Sequence, residues 1–170
     1  MLIRRPPAEI MPWLVTPSLL SRWIIGAREA EWVDGSGPVV GGQTRLVLTT
    51  SGQSQSATSL VGQIAELTDD RLVREYRMDW FGAGPVRLDA GSAYQRTVSY
   101  RLSPAAGGTD LTCAQVTTIP GLSPRVLTMA TRSETRSMVR SLARLRVRLE
   151  GGRVGPFRWL RDSQQGPQAL

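Results

Sequence analysis

The chain has no histidine, no lysine and no asparagine, and only one cysteine among its 170 residues. Each absence removes a class of chemistry. Without His, neither a His-dependent nucleophilic triad nor a His-ligated metal can be built. Without Lys, a Schiff base and a phosphate-loop lysine are excluded. The lone Cys113 cannot close an internal disulfide or furnish a Cys-rich zinc site. With no His to activate it, it reads as a buried bystander on a strand. No apolar run approaches the roughly 18 residues that a membrane span needs. The opening Met-Leu-Ile-Arg-Arg-Pro-Pro lacks the apolar stretch of a signal peptide, so a cytoplasmic protein is expected. No metal or cofactor is implied. Any catalysis falls to Asp, Glu, Tyr, Arg, Ser, Thr or the single thiol.

What is present is unevenly placed. All 21 basic residues are Arg. Residues 1–122 hold 11 Arg against 11 Asp plus Glu, whereas residues 123–170 hold 10 Arg against Glu134, Glu150 and Asp162, which is the whole net charge of +7. In that segment Arg132, Arg136, Arg140, Arg144 and Arg148 recur at every fourth position. A helix turns by about 100° per residue, so the row winds slowly along one side, while Leu127, Met138, Leu142, Leu145 and Leu149 occupy the other. Ser123 as N-cap and Pro124 at the first turn open this helix, and Gly151-Gly152 closes it after Glu150. Its length is about 42 Å at 1.5 Å per residue.

Upstream, Pro7 starts a short helix that carries Ile10, Trp13 and Leu14 on one face, and Pro12 is expected to kink or shorten it. Pro17 starts a second with Leu19, Leu20 and Trp23, ended by Gly26. Strand texture then predominates: Arg28–Val33, Gln43–Thr50, Ala57–Leu67, Arg71–Trp80, Ser92–Leu102 and Thr109–Thr118, separated by Gly-, Asp- and Ser-rich turns. A further strand is expected at residues 2–5. In the fourth of these strands Leu72, Tyr76, Met78 and Trp80 share a side, and in the fifth Tyr94, Val98, Tyr100 and Leu102 do. One domain over 1–152 followed by a flexible basic tail over 153–170 is the expected organisation.

This order, two short helices, a strand meander and one long amphipathic helix, resembles the START/Bet v 1-like superfamily, also called SRPBCC or polyketide cyclase/dehydrase-like. Pro7-Ala8-Glu9-Ile10-Met11-Pro12-Trp13-Leu14 is similar to the family's Pro-x-x-Val-Trp-x-x-Leu opening, with Ile10-Met11 in place of Val-Trp. Thr16-Pro17-Ser18-Leu19-Leu20-Ser21-Arg22-Trp23 is similar to its Thr-Asp-Pro-x-x-Leu-x-x-Trp continuation, common in the branch related to Hsp90-ATPase activators. Gly108-Thr109-Asp110-Leu111-Thr112 is similar to the Gly-Thr-x-Leu-Thr start of the last strand. The family usually has a longer first strand. Either the edge strand here is short or the start omits part of it. The resemblance covers roughly residues 2–150. It implies an α+β helix-grip fold, a curved six- or seven-stranded antiparallel sheet wrapped around the long C-terminal helix. It further implies an apolar cavity between sheet and helix, of the kind that holds a lipid, sterol, polyketide or other apolar molecule. The superfamily has no universal catalytic residues, so none carries over.

On that frame Tyr76, Met78 and Trp80 of one strand and Tyr94, Arg96, Val98 and Tyr100 of another face the helix. Arg96 then needs a partner, because an unpaired buried charge is costly. The sheet-facing stripe of the helix turns from leucine at its C-terminal end to Thr131, Glu134 and Thr135 at the other, beside Met138. The expected ligand cavity is thus lined by these residues, with Arg96, Glu134, Thr131 and the tyrosines as its polar fixtures. Against this stands a plain alternative, with Arg96 at the rim and Glu134 solvated. Glu66, Asp69 and Asp70 read as solvent-facing turn acids, and Trp13, Trp23 and Trp32 as packing residues. The arginine ladder reads first as the solvated back of the helix and second as a face for an anionic membrane or protein surface. Nucleic acid is disfavoured, since no interleaved aromatics or recognised motif accompany the row. The leading function is binding of a small hydrophobic molecule. The alternatives are a cyclase/dehydrase-type enzyme and a co-chaperone-like or regulatory interaction module.

Overall fold

The computed structural model describes residues 1–33, 37–49, 57–78, 94–119, 121 and 123–152, with the side chains at 57, 58, 78 and 94 outside that description. The expected tail over 153–170 and the 82–91 loop also lie outside it. The helices are α1 (Pro7–Val15), α2 (Pro17–Trp23) and α3 (Pro124–Leu149). The strands are β1 (Leu2–Ile3), β2 (Ala27–Trp32), β3 (Gln43–Thr49), β4 (Ala57–Leu67), β5 (Arg71–Met78), β6 (Tyr94–Ala105) and β7 (Gly108–Thr118). They form one antiparallel sheet in the order β1-β7-β6-β5-β4-β3-β2. The sheet is curved and open, and α3 lies with the two short helices against it, as the helix-grip architecture requires.

Local chemistry explains most boundaries. Pro7 and Pro17 stand in the first turns of α1 and α2, where a missing N–H costs nothing. Pro12 stands inside α1, a short helix of nine residues. The helix continues for three residues past it, and Ile10, Leu14 and Val15 are held in the core. Ser123 stands at the N-cap position of α3 but its hydroxyl makes no capping bond. At the other end Gly151 takes the left-handed conformation (φ 75°) that stops the helix. The expected N-terminal strand exists as the two-residue β1, paired with β7 through Leu2 opposite Asp110 and Ile3 opposite Thr109. Gly108 is needed at this junction, since a side chain there would run into the Ile3 carbonyl.

β1 also ties down α3. Arg5 Nε donates to the Leu149 carbonyl at 2.9 Å, and the Arg4 backbone N–H donates to Glu150 Oε1 at 2.9 Å. A cation and a backbone donor thereby satisfy groups at the helix C-terminus.

Strand register puts alternate residues on the concave face. Gly62 stands opposite Tyr76, Tyr76 opposite Arg96, and Arg96 opposite Thr117. Leu72 stands opposite Tyr100, and Tyr100 opposite Cys113. The core gathers Ile3, Ile10, Leu14, Leu20, Trp23, Leu46, Leu60, Ile64, Leu72, Val98, Leu102, Leu111 and, from α3, Leu145 and Leu149. At about 1.5–3 kcal/mol per fully buried large side chain, this stripe is the main reason α3 stays on the sheet.

Candidate functional site

Where the leucines of α3 give way to smaller and polar groups, the grip does not close. A cavity of about 210 Å³ lies there, lined by Ile24 and Ile25 from the connection after α2, by Leu46, Leu48, Leu60, Tyr76, Arg96 and Tyr100 from the sheet, and by Glu134, Ser137, Met138 and Ser141 from α3. The connection after α2 forms one lip of it. It is pinned to the helix by the Ile25 backbone N–H, which donates to Ser141 Oγ at 3.0 Å, while Ser141 donates to the Ser137 carbonyl at 2.8 Å.

Gly62 makes room for one wall. A Cβ at this position would lie 2.6 Å from Cε1 of Tyr76, so the tyrosine ring occupies the space a side chain on β4 would fill. Tyr100 packs its ring edge-on against Trp23, with centroids 6.4 Å apart and planes at 82°. Its hydroxyl meets the Met138 sulfur at 4.0 Å, a weak contact. Burial, and then the neighbouring Tyr76 and Cys113, raise the Tyr100 phenol well above its ordinary value, against the opposing pull of Arg74 and Arg96. Burial likewise pushes the Cys113 thiol up to about 11, with Arg96 opposing. Both groups are neutral at pH 7, and Cys113 is no nucleophile in this setting.

The polar end of the cavity is a connected chain. Arg96 donates to Gln115 Oε1 at 2.7 Å, and Gln115 Nε2 donates to Glu134 Oε2 at 2.8 Å. Thr117 Oγ1 donates to the same carboxylate oxygen at 2.8 Å. Arg96 and Glu134 therefore sit on one network, not on opposite surfaces.

Of the residues expected to line the cavity, Tyr76, Arg96, Tyr100, Glu134 and Met138 do so. Val98 is fully buried on the same face but packs into the core. Thr131 and Thr135 do not line it. They are exposed, and each hydroxyl bonds the carbonyl four residues back, from Leu127 and Thr131. The helix is wound correctly there, but these side chains satisfy themselves on their own backbone. Trp80, and the side chains of Met78 and Tyr94, lie outside the described residues. Four of the five ladder arginines, Arg132, Arg136, Arg140 and Arg148, are exposed, and Arg144 is half-buried.

Sequence reasoning missed Gln115 and Thr117, although both share the parity of Leu111 and Cys113 on β7. It also missed Arg74, which has the parity of Leu72 and Tyr76 and is 1% exposed. Its guanidinium donates to the Val15 carbonyl at the end of α1, at 3.2 Å. The apolar wall from Leu46, Leu48, Leu60, Ile24 and Ile25 was missed because alternation marks a face, not which part of it stays open.

The fold recurs in solved structures. A protein of Chromobacterium violaceum superposes with a TM-score of 0.64 at 20% identity, over 88% of this chain and 93% of that one. A protein of Rhodobacter sphaeroides does so with a TM-score of 0.64 at 22% identity, over 89% of each chain. Ara h 8.0201, a Bet v 1 allergen, does so with a TM-score of 0.63 at 13% identity, over 89% of this chain and 95% of that one. The chain has the Bet v 1-like fold. Its sequence matches no protein-family model, and no curated protein matches it. The cavity lies between the sheet and α3. Among the described residues no helix is long and apolar enough to cross a membrane, and no cluster of His, Cys, Asp and Glu is suited to a metal.

Proposed function

We propose that this chain binds a small, mostly apolar organic molecule in the cavity between the sheet and α3. The observation that carries the reading is the gap itself. Well-packed interiors leave few voids larger than a water molecule, yet here about 210 Å³ stays open behind an aliphatic wall with a few polar groups at one end. That combination is the usual form of a small-molecule site. Its size narrows the ligand. It exceeds the ~150 Å³ that accommodates benzene in an engineered cavity and falls below the ~300–1,000 Å³ of drug-sized sites. A single ring or a short aliphatic chain suits it better than a sterol.

Native mass spectrometry of the purified protein tests this directly, by a retained small molecule or by uptake of added 1-octanol. Leu48→Trp, which fills the aliphatic wall, is expected to abolish uptake while the fold persists. Equal uptake by wild type and Leu48→Trp would refute the site.

A cyclase/dehydrase-type reaction is the second reading, supported by Tyr76, Arg96 and Tyr100 lining one cavity. A phenol held neutral by burial is a poor acid but a good hydrogen-bond donor, so such a reaction would use Tyr100 to hydrogen-bond a developing oxyanion beside Arg96. Turnover lost in Tyr100→Phe with binding retained would distinguish catalysis from binding alone. The exposed arginine face of α3 is accounted for by solvation. Salt-sensitive binding to anionic vesicles would assign it a partner.

A further inference from the structure

The cavity has a sign as well as a size. Among the described residues, the concave side of the grip holds two guanidinium groups, Arg74 and Arg96, and one carboxylate, Glu134. Neither guanidinium forms an ion pair there. Each has a buried Nε with no hydrogen-bond partner. Among the described residues Arg74 donates to a backbone carbonyl, and Arg96 to the neutral Gln115 amide. The Glu134 carboxylate is already engaged by Gln115 and Thr117. Tyr100 and Cys113, which interact with Arg96, are held neutral by burial, so they supply no negative charge. The described interior therefore carries one more positive charge than negative, next to an open space. A cation in an apolar setting is costly until a counter-charge meets it.

We propose that the ligand is a compact organic anion, a carboxylate on a single ring or short chain. Its apolar body rests on Leu46, Leu48 and Leu60, and its charge is received by Arg96. Arg presents a fork of donors that matches a carboxylate, and one of its N–H groups is committed to Gln115. The phenol hydroxyls of Tyr76 and Tyr100, from the same sheet face, can donate to an anion. Arg74, one residue pair further along the sheet, adds positive potential from behind. This inference rests on the reading of the cavity as a binding site.

A matched pair of probes separates the two ideas. Octanoate and 1-octanol have nearly the same apolar body, and at pH 7 only octanoate is charged. Isothermal titration calorimetry on the full chain is expected to show octanoate binding at least tenfold tighter than octanol. Arg96→Met, which keeps the length and removes the charge, is expected to weaken octanoate at least tenfold and leave octanol within about threefold. Glu134→Gln removes the opposing charge at nearly constant shape and is expected to tighten octanoate several-fold. This second variant carries the test should Arg96→Met not fold, as judged by circular dichroism. Octanol bound as tightly as octanoate, or octanoate indifferent to both substitutions, overturns the anion inference and leaves the cavity reading standing. Neither probe bound at millimolar concentration overturns both.

Discussion

The two halves of α3 have the same periodicity and opposite fates. From Met138 onward the stripe is gripped: Ser141, Ala143, Leu145 and Leu149 are buried. From Pro124 to Arg136 no residue is fully buried, and Thr128, Thr131 and Thr135 turn their hydroxyls onto their own helix backbone. Leu127 lies on the same side of the helix as Leu145, yet it is half-buried while Leu145 is 0% exposed. Met129 and Val139 face outward at 69% and 59% exposure despite their apolarity. The difference teaches that an amphipathic stripe states which side can be buried. What lies opposite decides how much of it is.

The largest effect should come from striking both halves alike. Leu145→Ala is expected to cost about 2–5 kcal/mol in urea unfolding, through lost transfer energy and an unfilled cavity. Leu127→Ala is expected to cost less than half as much. Equal losses would dissolve the distinction between the halves.

Next comes the wall between the gripped half and the cavity. Gly62→Ala forces a methyl group into the Tyr76 ring, and overpacking of that kind costs about 1–3 kcal/mol. The displaced ring should also reduce octanol uptake. Pairing Gly62→Ala with Tyr76→Ala removes the clash, so the two substitutions should prove strongly non-additive.

Reactivity probes the half-buried thiol opposite Tyr100. With its thiol at about 11, Cys113 in the folded protein should alkylate at pH 8 on the order of a hundredfold more slowly than a free cysteine of pKa ~8.5. The linked stability has a definite sign. The folded pKa is raised, so this contribution is full below the unfolded thiol value. It is lost as pH rises from there through about 11. Unfolding curves at pH 7 and pH 10 should show the decline, and Cys113→Ser should blunt it.

The smallest effect belongs to the C-terminal clamp. The Arg4 backbone hydrogen bond, with help from Arg146, lowers the Glu150 carboxyl below its ordinary value. Its contribution is therefore present above the unfolded carboxylate value and fades as pH falls through the lowered folded one. Glu150→Gln should slightly reduce stability at pH 7 and make no difference at pH 2.

The fold was readable because its signals are local and redundant. Pro7, Pro17 and Pro124 mark helix starts, Gly151 marks a stop, and the alternation read over Arg71–Trp80 and Ser92–Leu102 marks the faces of β5 and β6; α2 ends at Trp23, three residues before the expected stop at Gly26. The site was readable only in part. Tyr76, Arg96, Tyr100, Glu134 and Met138 follow from parity and helical angle. Gln115, which links Arg96 to Glu134, required the register of β6 against β7, which no residue announces. Thr131 and Thr135 satisfied the angular criterion and still fell outside the cavity, since an angle specifies a direction and not the presence of a neighbour. Pro12 stands inside α1, which runs three residues beyond it. Burial of Ile10, Leu14 and Val15 on either side outweighs one missing helix hydrogen bond.

From the sequence came the elements, their order, the inward parity of β5 and β6 and the chemistries that a chain without His or Lys cannot perform. All of these depend on near neighbours along the chain. The tertiary structure alone decided where the grip closes and where it leaves about 210 Å³ open. It decided too that Arg74 is buried and that Arg96 reaches Glu134 through Gln115. Those outcomes depend on register and on the volumes of side chains distant in sequence, brought together only when the sheet curves onto the helix.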